Sequence, residues 1–235
     1  MSNPIIFIPR RFRGPAESGN GGYVCGLLAA FVEADAVEVT LRQPPPLDRP
    51  LVVAVEHGRA RLLDGEFLVA EAVAADLALE APAAISWDDA LAASANYVGF
   101  DEHAFPECFV CGPAREAGDG LRIFAGPVVG AEGVVAAPWI ASEVSPEIVW
   151  AAIDCPGAFA VGVSARGETV LGRMTARIFR LPGEGERCVS IGWAVGEDGR
   201  KLYAGTALLS EAGDVLALAR QTWIVPRPAG EEITS

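Results

Sequence analysis

The chain has 235 residues, 51% of them hydrophobic and 21% charged, with a formal net charge of −13 at pH 7. That balance describes an ordered globular protein able to bury a sizeable core, as one large domain or two small ones. Eighteen Lys and Arg against 31 Asp and Glu argue against nucleic acid and anionic membrane as partners, and no uncharged apolar run reaches the ~18 residues of a membrane span.

The opening "MSNPIIFIPRRFRG" lacks a secretory signal's order of charge, apolar core and cleavage site, so a cytoplasmic protein is expected. Its cluster of Arg10, Arg11 and Arg13 reads as a solvated face. "GGYVCGLLAAFVEA" (21–34) predicts an apolar helix opened by glycines, followed by strands at 36–43 and 51–58. A hairpin over 60–74 turns at Asp64-Gly65. "SWDDALAASA" (86–95) is a short helix with a Ser–x–x–Asp capping pattern, and "NYVGFDEHAFPE" after it is an ordered connector.

Further on, "SPEIVWAAID" (145–154) carries strong helix-start signals: Ser145 for the N-cap, Pro146 for the first turn, then Glu147. Strands follow at 169–181 and 187–196, then a hairpin over 201–225 turning at "SEAGD". The order of helix first, then long antiparallel strands, occurs twice. It divides the chain into an N-terminal repeat (1–81), a linker with a short helix (82–107) and a C-terminal repeat (108–235). A helix apolar all round is easiest to satisfy by wrapping the strands around it, and each half is too small to do so alone.

One residue breaks the pattern. "VWAAIDCPGAF" (149–159) is apolar or small except for Asp154, and an unpaired buried carboxylate is costly. The position before Cys155-Pro156-Gly157 puts Asp154 in the last turn of its helix, where the dipole and the apolar setting both push its pKa up.

Two stretches resemble known families. "CFVCGPAREAGDGLRIF" (108–124) is similar to the opening of phenylacetyl-CoA thioesterase-like hotdog proteins, and "FRGPAESGNGGYVCGLLAAF" (12–31) to the N-terminal half of tandem-hotdog, type-II-like acyl-CoA thioesterases. The resemblance implies an α+β double hotdog, two tandem repeats each of an antiparallel sheet around a central helix. In such families a His-Gly-Gly motif opens the helix and a catalytic acid lies about two and a half turns on. By that correspondence Asn20-Gly21-Gly22 holds the first place in one repeat, with Ala29 in the acid's place. In the other, Ser145-Pro146-Glu147 and Asp154 hold them. Nine helical residues span about 13 Å, so amide and acid must come from opposite helices: Gly21 and Gly22 with Asp154 in one site, Ser145-Pro146-Glu147 with Ala29 in a dismantled twin. The resemblance further implies Gln221 as a residue that positions water, with Thr169 or Thr175 completing the set.

The implied function is hydrolysis of an acyl-CoA thioester, with Asp154 as general base or nucleophile and the amides of Gly21 and Gly22 as oxyanion donors. Asn20 stands where the families have His and suits a helix cap. The competing reading is a non-catalytic acyl-CoA or lipid binder. A hotdog hydratase needs a histidine beside the acid, whereas His57 falls in a strand-end turn and His103 in the linker.

Five cysteines, an odd number, do not make a disulfide framework. Cys108-x-x-Cys111 alone is a weak zinc signal, since a structural site takes four ligands. His103, Cys155 or Cys188 could complete one, but no second pair appears, and two buried thiols is the reading adopted. No metal and no cofactor is expected. The partner is a small-molecule acyl-CoA, and pairing of two such chains into a homodimer stays open.

Overall fold

The computed structural model describes residues 3–162 and 168–226. The first half contains β1 (Ile5–Phe7), α1 (Gly21–Ala29), β2 (Val37–Leu41), β3 (Pro50–Glu56), β4 (Arg59–Asp64) and β5 (Phe67–Ala74). After α2 (Trp87–Ser94) come β6 (Gly126–Pro127), β7 (Val134–Ile140), α3 (Pro146–Ala152), α4 (Cys155–Ala160), β8 (Val170–Ile178), β9 (Arg187–Asp198), β10 (Lys201–Ser210) and β11 (Val215–Ile224).

All eleven strands form one antiparallel sheet in the order β1-β3-β4-β5-β2-β8-β11-β10-β9-β7-β6. Read inward from either side, β1-β3-β4-β5-β2 and β7-β9-β10-β11-β8 have the same connectivity, so a strand–helix–four-strand unit is built twice. The units join edge to edge through β2 and β8, with Val37 opposite Ala176 and Thr40 opposite Arg173. α1 and α3 pack against each other inside the curved sheet, and Val24, Cys25, Leu28, Val149 and Ile153 are wholly buried there.

Local chemistry explains the elements. β8 alternates, with Met174 and Ala176 turned to the core and Arg173 and Arg177 paired with the half-buried Glu38 and the exposed Asp35. The β3–β4 turn is His57-Gly58, both at positive φ (52° and 71°), the backbone a two-residue hairpin asks for. The β4–β5 turn is Gly65-Glu66, one residue later than expected, with Asp64 already opposite Phe67.

Two expectations need correcting. α1 stops at Ala29 instead of reaching residue 34, because Glu33 and Asp35 are solvent-exposed acids that a helix C-terminus disfavours. β7 went unread. Its central Pro138 pairs with Val189 on one side, at a position β6 does not reach on the other, which is where a strand tolerates proline.

α2 lies on the outer face of the second unit, burying Ala90 and Ala93 against β7. The arginine cluster is ion-paired: Arg10 with Glu17 and Asp48, Arg11 with Glu143, Arg13 with Glu107. It fastens the N-terminal segment to both halves.

Candidate active site

α1 and α3 approach closely at two glycines of α1. A Cβ on Gly22 would stand 2.6 Å from Asp154 Cβ and from the Trp150 carbonyl oxygen, and one on Gly26 2.5 Å from Glu147 Cα. The contact brings the start of α1 onto the end of α3. Asn20 caps α1, its Oδ1 accepting from the Tyr23 N–H at 2.9 Å. Its Nδ2 donates to Asp154 Oδ2 at 2.9 Å, and the Gly22 N–H donates to the same oxygen at 2.9 Å.

Asp154 does not close α3 as expected. The helix ends at Ala152, the chain kinks at Ile153 and Asp154, and Asp154 becomes the N-cap of α4 with Pro156 in its first turn. Pro156 has no N–H for the Ala152 carbonyl, and the Ser190 hydroxyl supplies the missing donor at 2.7 Å. The Gln221 amide donates to the carbonyls of Ile153 (2.7 Å) and Asp154 (3.1 Å). Two side chains from the sheet thus hold the broken backbone that presents the acid.

Asp154 is only 2% exposed, and its second carboxyl oxygen, Oδ1, is buried without a hydrogen-bond partner among the described residues. Burial pushes the pKa up to about 7. The Gly22 amide opposes that rise, Cys108 adds to it, and Asn20 again opposes it. A carboxylate of that basicity is partly ionised at neutral pH and able to accept a proton from water. Asp154 borders a cavity of about 660 Å³, whose walls include Asn20, Gly21, Phe159, Thr169 and Trp223. The Gly21 N–H opens the helix without an acceptor among the described residues.

No protein-family model matches this sequence, and no curated protein does. Solved structures match along nearly their whole length. A thioesterase candidate from Novosphingobium aromaticivorans superposes with a TM-score of 0.65 at 12% identity, covering 96% of each chain. A protein of unknown function with the hot dog fold, from Alicyclobacillus acidocaldarius, gives 0.58 at 9% identity, covering 97% of this chain and 94% of its own. The dehydratase domain of a mycocerosic acid synthase-like polyketide synthase gives 0.61 at 18%, covering 93% and 89%. The fold is a double hotdog.

Within this double hotdog Asn20, Gly21, Gly22 and Asp154 gather at one end of the α1–α3 seam, and Thr169 lies on the wall of the same cavity. Gly22 differs from expectation in its role: its amide is spent on the carboxylate itself, while Gly21 lies on the cavity wall. Gln221 is fully buried behind the kink. Both its amide hydrogens go to carbonyls and its Oε1 accepts from Trp223 Nε1 at 2.8 Å, so it positions backbone where a water was expected. Thr175 is not in the cluster. It shares the outer face of β8 with Arg173 and hydrogen-bonds Glu38 at 3.3 Å. The Arg-x-Thr-x-Arg alternation around it was the signal that could have told it from Thr169.

His103 was assigned to the linker and lies on the cavity wall. Its Nδ1 accepts from the Phe105 N–H at 2.9 Å and its Nε2 contacts Cys111 Sγ at 3.3 Å. The connector folds inward because its Tyr97 packs against Phe124 and Phe159. Nothing in its composition announced that.

Proposed function

We propose that this protein hydrolyses acyl-CoA thioesters, with Asp154 as general base. The observation that carries the reading is the unequal treatment of the two carboxylate oxygens in a residue that borders the cavity: one fixed by Asn20 and Gly22, the other buried with no partner. In this reading Oδ1 takes a proton from water as the water oxygen bonds to the thioester carbon. The oxyanion that forms accepts from the Gly21 N–H, at the positive end of α1. Collapse of the intermediate breaks the carbon–sulfur bond. The leaving thiolate recovers the proton from Asp154, giving a carboxylic acid and a free thiol. Phe159 and Trp223 offer an apolar wall for an acyl chain.

The acyl-CoA class rests on the resemblance of residues 12–31 and 108–124. A hydratase would need a histidine free to exchange protons, and both ring nitrogens of His103 are engaged. Steady-state hydrolysis across acyl-CoA chain lengths tests the reading. Asp154→Asn should keep the fold and lower kcat/KM by about 10²–10⁴. A wild-type protein that binds acyl-CoA without hydrolysing any would instead be a carrier.

A further inference from the structure

The mechanism leaves unused a group of thiols beside the acid. Cys108, Cys111 and Cys155 are all buried and border the cavity, and no two of their sulfurs lie more than 4.8 Å apart. Cys108 and Cys155 are 3.8 Å apart. A tetrahedral ion with metal–sulfur bonds of about 2.3 Å sets its sulfurs about 3.8 Å from one another. From Cys108 to Gly112 the chain makes a tight turn, the Gly112 N–H donating to the Cys108 carbonyl at 2.9 Å. A Cβ on Gly112 would come within 2.5 Å of the Cys108 nitrogen, so only glycine fits there. Asn20 Nδ2 contacts Cys108 Sγ at 3.9 Å.

We propose that Cys108, Cys111 and Cys155 bind one thiophilic metal ion, zinc in the first instance. Thiolate softness selects such ions over magnesium or calcium. His103 belongs to the outer shell. Because the Phe105 N–H donates to Nδ1, the neutral ring carries its proton on Nε2, aimed at Cys111 Sγ, an arrangement that steadies a ligating thiolate. A fourth ligand comes from the cavity. The ion would tie the segment 103–112 to the kink that presents Asp154, whether or not the cavity hydrolyses thioesters.

The test uses the full chain, stripped of metal under reducing conditions and titrated with cobalt(II) alone. Expected is a thiolate-to-cobalt charge-transfer band with tetrahedral d–d bands, saturating at one ion per chain and displaced by zinc. Cys108→Ser and Cys155→Ser should abolish it, while Cys188→Ala, away from the cluster, keeps it. If a serine variant misfolds by circular dichroism, the wild type still decides: a mercurial that caps thiols should release one zinc per chain from zinc-loaded protein. Absence of a saturable band, its persistence in Cys108→Ser, or a Cys108–Cys155 disulfide in the protein purified without reductant would each overturn the proposal.

Discussion

Asn20 joins the two parts of the site through one side chain, its carbonyl oxygen capping α1 and its amide fixing Asp154. These roles separate by substitution. Serine caps about as well as asparagine, but its one hydroxyl, a bond shorter than Nδ2, cannot reach the acid while it caps. Asn20→Ser should therefore shift stability by no more than about 1 kcal/mol, while thioester hydrolysis falls about 10–100-fold, the worth of one hydrogen bond to a charged group. Full activity in Asn20→Ser beside a loss in Asn20→Ala would show that only the cap matters. Gln221 behaves otherwise, since every polar atom of its amide is committed to structure. Gln221→Met should strand two carbonyls and an indole N–H, at about 1–3 kcal/mol for each group left unpaired, read as a lower denaturant midpoint. Asp154 was legible because a lone acid in an apolar run needs an explanation. Gln221's true partners were not, because backbone carbonyls freed by a kink leave no trace in side-chain pattern.

Helices and hairpins were legible where they carry their own stop and start signals: Ser145-Pro146-Glu147, Ser86 with Asp89, the glycine turns. The α1–α3 contact was not. It depends on Gly26, four residues after Gly22 and facing Glu147 Cα and Trp150 Cβ, which reads in sequence only as a weak spot in a helix. Helix propensity favours Gly26→Ala by about 1 kcal/mol. The contact should reverse that sign, because neither neighbour is a flexible chain end, giving a net loss of about 1–3 kcal/mol in chemical unfolding; a stabilised variant would contradict the close approach. The β8–β9 connection carries a pH-dependent bond. Glu186 accepts both arms of the Arg180 guanidinium and the Gly183 N–H, and these hold its pKa down to about 2. A depressed acid stabilises the fold above its unfolded pKa, near 4.5, and that contribution is lost as pH falls toward 2. Arg180 is half exposed, so the pair is worth under about 1 kcal/mol. Glu186→Gln should be slightly less stable than wild type at neutral pH, and the difference should shrink below pH 4.5 in unfolding titrations.

At the level of the whole chain, the repeat was visible because each half states its own helix and hairpins. The joint between β2 and β8 was not, since it pairs strands from opposite halves and no local pattern names such a partner. That joint makes the two halves face each other, so each could in principle supply amides to the other's acid. The structure is lopsided there. α1 begins with Gly21, which has an N–H to offer; α3 begins with Pro146, which has none. Glu147 stands at the matching place to Gly22, and Ala29 at that of Asp154. The twin site therefore lacks both the first-residue N–H and the acid, and no one substitution restores it. A non-hydrolysable acyl-CoA analogue titrated into the protein by calorimetry should saturate at one ligand per chain. Ala29→Asp added to Asp154→Asn should recover no hydrolysis, because the place of Gly21 is held there by Pro146, which has no N–H for an oxyanion. Two ligands per chain, or rescue by that acid, would mean that the halves remain functionally equivalent and that the asymmetry at their helix starts has no bearing on the chemistry.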